Sequence, residues 1–208
     1  MSLADKIAFK LATSLGYDDE KRQVMAYGLG AFIQMMQLLL IAFLFGLVFD
    51  CLVECMIMFW GVGLLRRSTG GIHCKSYMSC ILTSSLSICL LSLICRFFTP
   101  AYVSKFWHAL IGIVPAFAVM LVLAWKRVPV ASENKPITNP AKIARLRRQC
   151  FVTLGIYFAV AVFLLCVDWG EGRNISSMWA LICVLWWQSF TLTSLSERLV
   201  RSMDSLFQ

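Results

Sequence analysis

The chain has 208 residues, 60% of them hydrophobic and 14% Asp, Glu, Lys or Arg, against roughly a quarter charged in an ordinary soluble domain. That composition excludes a water-soluble globule, a disordered chain and a small secreted disulfide scaffold. A net charge of +8 would point to nucleic acid in a soluble protein, but here the cations sit in short clusters between long apolar runs. That is how an all-α polytopic membrane protein controls its topology, and no nucleic-acid partner follows from it.

In chain order, residues 2–15 set Leu3, Ile7, Lys10, Leu11, Ser14 and Leu15 near one another at helical spacing, with Ala4, Ala8 and Ala12 close by. This fits an amphipathic helix in the inner membrane interface, or equally a short helix packed on the end of a bundle. Asp5, Lys6 and Lys10 break the segment up and argue against a cleaved signal peptide. Crossing about 30 Å of hydrocarbon takes about 20 apolar residues. Six runs meet or approach that length: 27–49, 51–65, 77–95, 106–125, 150–167 and 175–195. The second is the weakest, being short and carrying Glu54, and Pro115 predicts a kink in the fourth.

Six alternating spans with the N-terminus inside put sixteen of the 19 Lys and Arg residues on the cytoplasmic face, leaving only Arg96, Lys105 and Arg173 outside. This asymmetry predicts cytoplasmic termini at both ends and requires the second run to cross, since otherwise the following cations change sides. No internal repeat is visible, so the chain reads as a single domain of residues 1–208. The nine cysteines are odd in number and mostly lie within apolar runs, as reduced, small core side chains do.

Chemistry concentrates in one loop, Arg66-Arg67-Ser68-Thr69-Gly70-Gly71-Ile72-His73-Cys74-Lys75-Ser76-Tyr77-Met78-Ser79-Cys80. The glycine pair allows a tight turn or a close backbone approach. A histidine and a cysteine at a membrane edge can form a nucleophile and its base, helped by nearby positive charge and a helix N-terminus. Seven residues of continuous helix would separate His73 from Cys80 by about 10 Å, so His73 must lie on a turn that folds back or before the helix begins. Spacing alone leaves the alternative of an interfacial histidine and a core cysteine. A zinc site is poorly supported, because His73, Cys74 and Cys80 lack an evident fourth ligand, and no cofactor is called for. A small transporter or channel is the other class that six spans allow, though paired charges within the spans are scarce.

The stretch Arg67-Ser68-Thr69-Gly70-Gly71-Ile72-His73-Cys74-Lys75-Ser76, followed by Cys80, resembles the accessory gene regulator B family, the membrane cysteine endopeptidases of Gram-positive quorum sensing. A second stretch, Val128-Pro129-Val130-Ala131-Ser132-Glu133-Asn134-Lys135-Pro136-Ile137, is similar to that family's proline-flanked cytoplasmic loop. The resemblance implies that His73 and Cys80 are catalytic. It implies cleavage of a small propeptide, a thioester on the cysteine, and ring closure to a lactone or thiolactone. It also makes a homodimer an expectation. Arg66, Arg67, Gly71, Lys75 and Lys135 are the candidate substrate-binding residues, the cations receiving an acidic propeptide tail. Cys74 stands where the family pattern leads one to expect a small residue such as Ala. Glu54 is a poor third catalytic residue, since the six-span arrangement puts it near the outer face. Ser76 and Ser79 are lesser candidates for stabilising an oxyanion, behind backbone N–H groups at the start of the third span.

Overall fold

Apolar runs bounded by charge, glycine and proline fold as helices throughout the computed structural model, which describes residues 3–71, 77–98, 106–130, 139–167 and 173–204. The helices are α1 (Leu3–Leu15), α2 (Asp19–Val48), α3 (Leu52–Thr69), α4 (Tyr77–Leu93, continued by a π-helical turn, Ile94–Phe98), α5 (Phe106–Arg127), α6 (Pro140–Cys166), α7 (Arg173–Thr191) and α8 (Ser194–Asp204). The only β-type pairing among the described residues is an isolated bridge between Gly70 and Val130. The chain divides into two compact units, Met1–Ile41 and Ala42–Gln208.

In the first unit, α1 ends where Gly16 takes a left-handed conformation at φ 65°, and the Tyr17 amide donates back to the Ala12 carbonyl at 3.0 Å. Asp18 then caps α2, its carboxylate accepting from the Lys21 amide at 2.9 Å. Every fourth residue of α1, Ala4, Ala8 and Ala12, is buried, with Ala4 against Gly30, while Ile7, Leu11 and Leu15 stay exposed. The helix thus packs by its small residues and leaves its large apolar ones open.

In the second unit, α7 is the central element, packed against α3, α4, α5, α6 and α8. Contacts along its length fix the direction of each neighbour. Glu54 meets Ser176 near the start of α3, and Gly61 meets Val184 further along. Thr69 meets Gln188 near its end, so α3 and α7 run parallel. Gly112 lies against Ile182 and Met120 against Ser189, making α5 parallel to α7 as well. The Tyr157 hydroxyl donates to the Gly61 carbonyl at 2.7 Å and Ser68 meets Cys150, so α6 is antiparallel to α3. Cys80 shares a cavity with Thr191 while Cys95 touches Cys183, which makes α4 antiparallel to α7. Helices α3 to α7 therefore alternate in direction, and the ends of α3, α5 and α7 gather with the starts of α4 and α6. Arg66, Arg67, Lys126, Arg127, Arg145, Arg147 and Arg148 lie at that same end.

Among the described residues, α2, α4 with its π turn, α5 and α6 are long and apolar enough to cross a membrane, and α7 with α8 makes a fifth if that bent pair is one span. The remaining helix, α3, has 18 residues, about 27 Å at the usual rise, and is more polar because it carries Glu54, Arg66 and Arg67. Glu54, Ser68 and Thr69 are buried in the bundle, where protein partners replace water, whereas Arg66 is half-buried and Arg67 exposed at the helix end. Two boundaries depart from the apolar arithmetic because helices extend beyond hydrocarbon. One is α2, which begins at Asp19; the other is α6, which begins at Pro140, with the Asn139 side chain accepting from the Ala141 amide at 2.9 Å. The sixth run does not continue as helix to residue 195. The Leu192 and Thr193 amides turn back to Ser189 and Phe190 at 3.2 and 3.0 Å, and α8 leaves at 81°. Helix α5 runs on through Pro115.

Gly61 is where α3 and α7 approach most tightly, since a Cβ there would fall 2.8 Å from Val184 Cγ2. Gly61→Ala should therefore destabilise the protein by about 1–3 kcal/mol, read as a lower melting temperature in detergent, and Val184→Ala should recover most of the loss.

Candidate functional site

Helix α3 ends at a turn that only glycine tolerates. Gly70 and Gly71 have φ values of 73° and 140°, in the region L side chains avoid. The Gly70 amide donates to the Arg66 carbonyl at 3.0 Å, and the Val130 amide donates to the Thr69 carbonyl at 2.9 Å. A Cβ on Gly70 would collide with the Val130 carbonyl oxygen. This turn joins the two loops that carry the sequence motifs, because Val130 belongs to the proline-flanked segment. That segment is held from its other side by Arg147, whose Nε donates to the Val128 carbonyl at 3.2 Å.

Gln188 of α7, completely buried, supports the turn from beneath. Its Nε2 donates to Thr69 Oγ1 at 2.7 Å and reaches the Gly70 carbonyl at 3.3 Å. Thr69 in turn donates to the Leu65 carbonyl at 2.9 Å. A Cβ on Gly71 would lie 3.6 Å from Thr191 Oγ1, 3.9 Å from Arg66 Nε and 4.0 Å from Gln188 Nε2, so Gly71 sits among these three side chains.

Beside the turn is a cavity of about 320 Å³ lined by Arg66, Cys80, Thr83, Ser84, Trp187, Phe190, Thr191, Ser196, Leu199 and Val200. Its walls are helix faces at i, i+3, i+4 spacing: 80, 83 and 84 from α4, 187, 190 and 191 from α7, and 196, 199 and 200 from α8. Cys80, in the first turn of α4, is half-buried there. A thiol at a helix N-terminus with a guanidinium in the same cavity has two features that favour a thiolate, set against the apolar walls, which favour the neutral thiol.

Cys80, Arg66 and Gly71 thus come together around Thr191. Arg67 is one residue further along α3, hence about 100° around the helix, and it lines a separate cleft with Arg145 and Arg148. His73, Cys74, Lys75, Ser76 and Lys135 lie outside the described residues. Ser79 is buried and does not line the Cys80 cavity. Glu54 accepts from the Ser176 hydroxyl at 2.5 Å, twelve residues and about 18 Å before Arg66 along α3. Sequence reasoning did not identify Gln188, Thr191 or the α8 wall. An amide within the apolar Trp186-Trp187-Gln188-Ser189 run was the available sign of a buried partner.

Gly70→Ala should open the bridge to Val130 and accelerate amide exchange at Val130 by roughly tenfold, in line with the 1–2 kcal/mol cost of a left-handed non-glycine residue. Gly63→Ala, at a helical position with nothing within 4 Å, should leave that rate unchanged.

The chain is similar along almost its whole length to known proteins. The sequence profile described as Accessory gene regulator B matches residues 4–192. An AgrB-like protein of Clostridium perfringens (strain SM101 / Type A) is 30% identical over 208 residues, covering 98% of this chain and 96% of the relative. A second AgrB-like protein, from Clostridium perfringens (strain 13 / Type A), is 30% identical over 207 residues with the same coverage, 98% and 96%. No solved structure matches the chain. With motifs, helical architecture and similarity in agreement, the chain belongs to the accessory gene regulator B family and is a multi-pass membrane protein.

Proposed function

We propose that this protein is a membrane-embedded cysteine endopeptidase that removes the C-terminal tail of a small autoinducer propeptide and promotes cyclisation of the remainder for quorum sensing. The observation that carries this reading is the placement of Cys80 in a cavity shared with Arg66, against the Gly70–Gly71 turn. Family membership supports it. His73 follows Gly71 by two residues, a reach of at most about 7 Å, which lets the imidazole fold back to the thiol.

In this mechanism His73 takes the proton of Cys80, and the thiolate attacks the scissile carbonyl. Collapse of the tetrahedral intermediate breaks the C–N bond, and the protonated His73 gives its proton to the departing amine of the tail. The N-terminal part remains as a thioester on Cys80. A thiol or hydroxyl within the peptide, giving its proton to the now neutral His73, then attacks that carbonyl, closing the ring and expelling the Cys80 thiolate, to which His73 returns the proton. Trp187, Phe190, Leu199 and Val200 limit water in the cavity, favouring ring closure over hydrolysis. Arg66, with Lys75 and Lys135, receives the acidic tail, and Gly71 leaves room for the peptide backbone.

Six spans with both termini cytoplasmic complete the reading. The alternating directions of α3 to α7 support α3 as a crossing helix, and the cations gathered at the Cys80 end support a cytoplasmic active site in the cell membrane. The exposed Ile7, Leu11 and Leu15 of α1 suit a helix in the interface. A homodimer is part of the same reading, on the family resemblance.

Mass spectrometry of the protein in liposomes with its genomically neighbouring propeptide tests the chemistry. Wild type and Cys74→Ala should release the tail and wild type should carry a peptide thioester on Cys80, whereas Cys80→Ala and His73→Ala should do neither at matched folding and yield. Equal release by all four would overturn the reading. Arg66→Gln should raise KM about tenfold for a substrate with an acidic tail, as loss of a charge-assisted contact implies. A substrate whose tail carboxylates are replaced by amides should show little difference between the two enzymes.

A further inference from the structure

Arg67 faces away from the Cys80 cavity, into a second cleft of about 440 Å³ lined by Leu64, Arg67, Ser68, Arg145, Arg148, Gln149, Val152 and Thr153. We infer that this cleft is a binding site for an anionic diacyl phospholipid, its phosphate held by Arg67, Arg145 and Arg148 and its chains lying along Leu64 and Val152. The inference stands apart from the peptidase reading and holds or fails independently of it.

The cleft is a groove between two antiparallel helices. Residues 64, 67 and 68 form one face of α3, and 145, 148, 149, 152 and 153 form one face of α6, both at i, i+3, i+4 spacing. Tyr157 bonding to Gly61 sets the register, so each step from the arginines toward 152 on α6 accompanies a step toward 64 on α3. Continuing in that direction, Trp60 and Ile156 recur on the same faces, and both are exposed, as are Leu64 and Val152. The groove therefore passes from a triple-cation mouth to an open apolar channel over about two helical turns. That profile matches a phospholipid, with a phosphate at the interface and hydrocarbon beneath it. A soluble acidic peptide would find cations there but would have to lay its polar backbone against the apolar part.

Charge complementarity points the same way. Among the described residues, no carboxylate lines the cleft. The ion pairs among the described residues use Lys21, Arg22 and Arg96, leaving Arg67, Arg145 and Arg148 without one. Three guanidinium groups converging at one site repel one another unless an anion joins them, and a phosphate diester offers two acceptor oxygens to arginine forks. Gln149 adds an amide donor at the same mouth.

The test uses the full-length protein in nanodiscs of phosphatidylcholine containing a minor fraction of phosphatidylglycerol. Native mass spectrometry and competition titration should show retained phosphatidylglycerol on the wild type, preferred over phosphatidylcholine. Retention should weaken about fivefold in Arg145→Gln or Arg148→Gln and roughly 30-fold in the double variant, as expected for about one interfacial charge contact each. Helical content and melting temperature of each variant establish that it is folded. Equal retention of the two lipids by wild type, or unchanged phosphatidylglycerol retention in the folded double variant, would overturn the proposal. So would a soluble acidic peptide that binds wild type in pure phosphatidylcholine discs and is lost with the same two arginines, since the cleft would then be a peptide site.

Discussion

The seam between α3 and α7 is the constraint on which the rest of this protein depends. Hydrocarbon offers no hydrogen bonds, so a polar side chain within a span must find its partner on another helix. Along this seam the partners occur in sequence: Glu54 with Ser176 at one end, glycine against Val184 in the middle, and Gln188 with Thr69 and Gly70 at the other. Within this unit the polar side chains of α3 and α7 meet each other along the seam, and α4, α5 and α6 pack around the pair. The amphipathic rule of soluble proteins is thereby inverted, with polarity concentrated inside.

The candidate site is the cation-rich terminus of this seam. There α3 stops at a left-handed glycine, α7 stops at Thr191, and α8 turns away by 81°. Two helix terminations and the turn into α8 leave a recess that continuous helices would have filled, and Cys80 at the start of α4 opens into it. The Gly70 bridge to Val130 ties the recess to the second motif loop. Residues far apart in the chain are thus held by backbone contacts, which vary less than long side chains do. The neighbouring arginines of α3 serve different surfaces because successive helical residues diverge by about 100°.

Much of this was legible in the amino-acid sequence. The apolar runs, the Gly70–Gly71 turn and the α1 periodicity all follow from local chemistry, and α1 forms over Leu3–Leu15. The helix starts at Asp19 and Pro140 were missed because a hydropathy run marks the hydrocarbon thickness and not the helix. The break after Thr191 was missed because the turn there depends on Thr and Ser hydroxyls taking backbone carbonyls, as Thr191 and Thr193 do at 2.8 and 2.7 Å. The division between Arg66 and Arg67, and the role of Gln188, required knowing which helix lies opposite each face. That is tertiary information absent from a single sequence.

The parallel orientation of α3 and α7 has a consequence for how the protein is made. Parallel helices cannot be joined by a short loop, and here the two halves of the seam are separated by α4, α5 and α6. During synthesis α3 is made with Glu54 and Thr69 lacking their final partners, and α7 emerges only after some 120 further residues, about 6–24 s at ordinary elongation rates. For that interval the polar side chains of α3 must be sheltered by its nascent neighbours or by the insertion machinery. The recess around Cys80, walled by α7 and α8, cannot exist until both of those helices have been made.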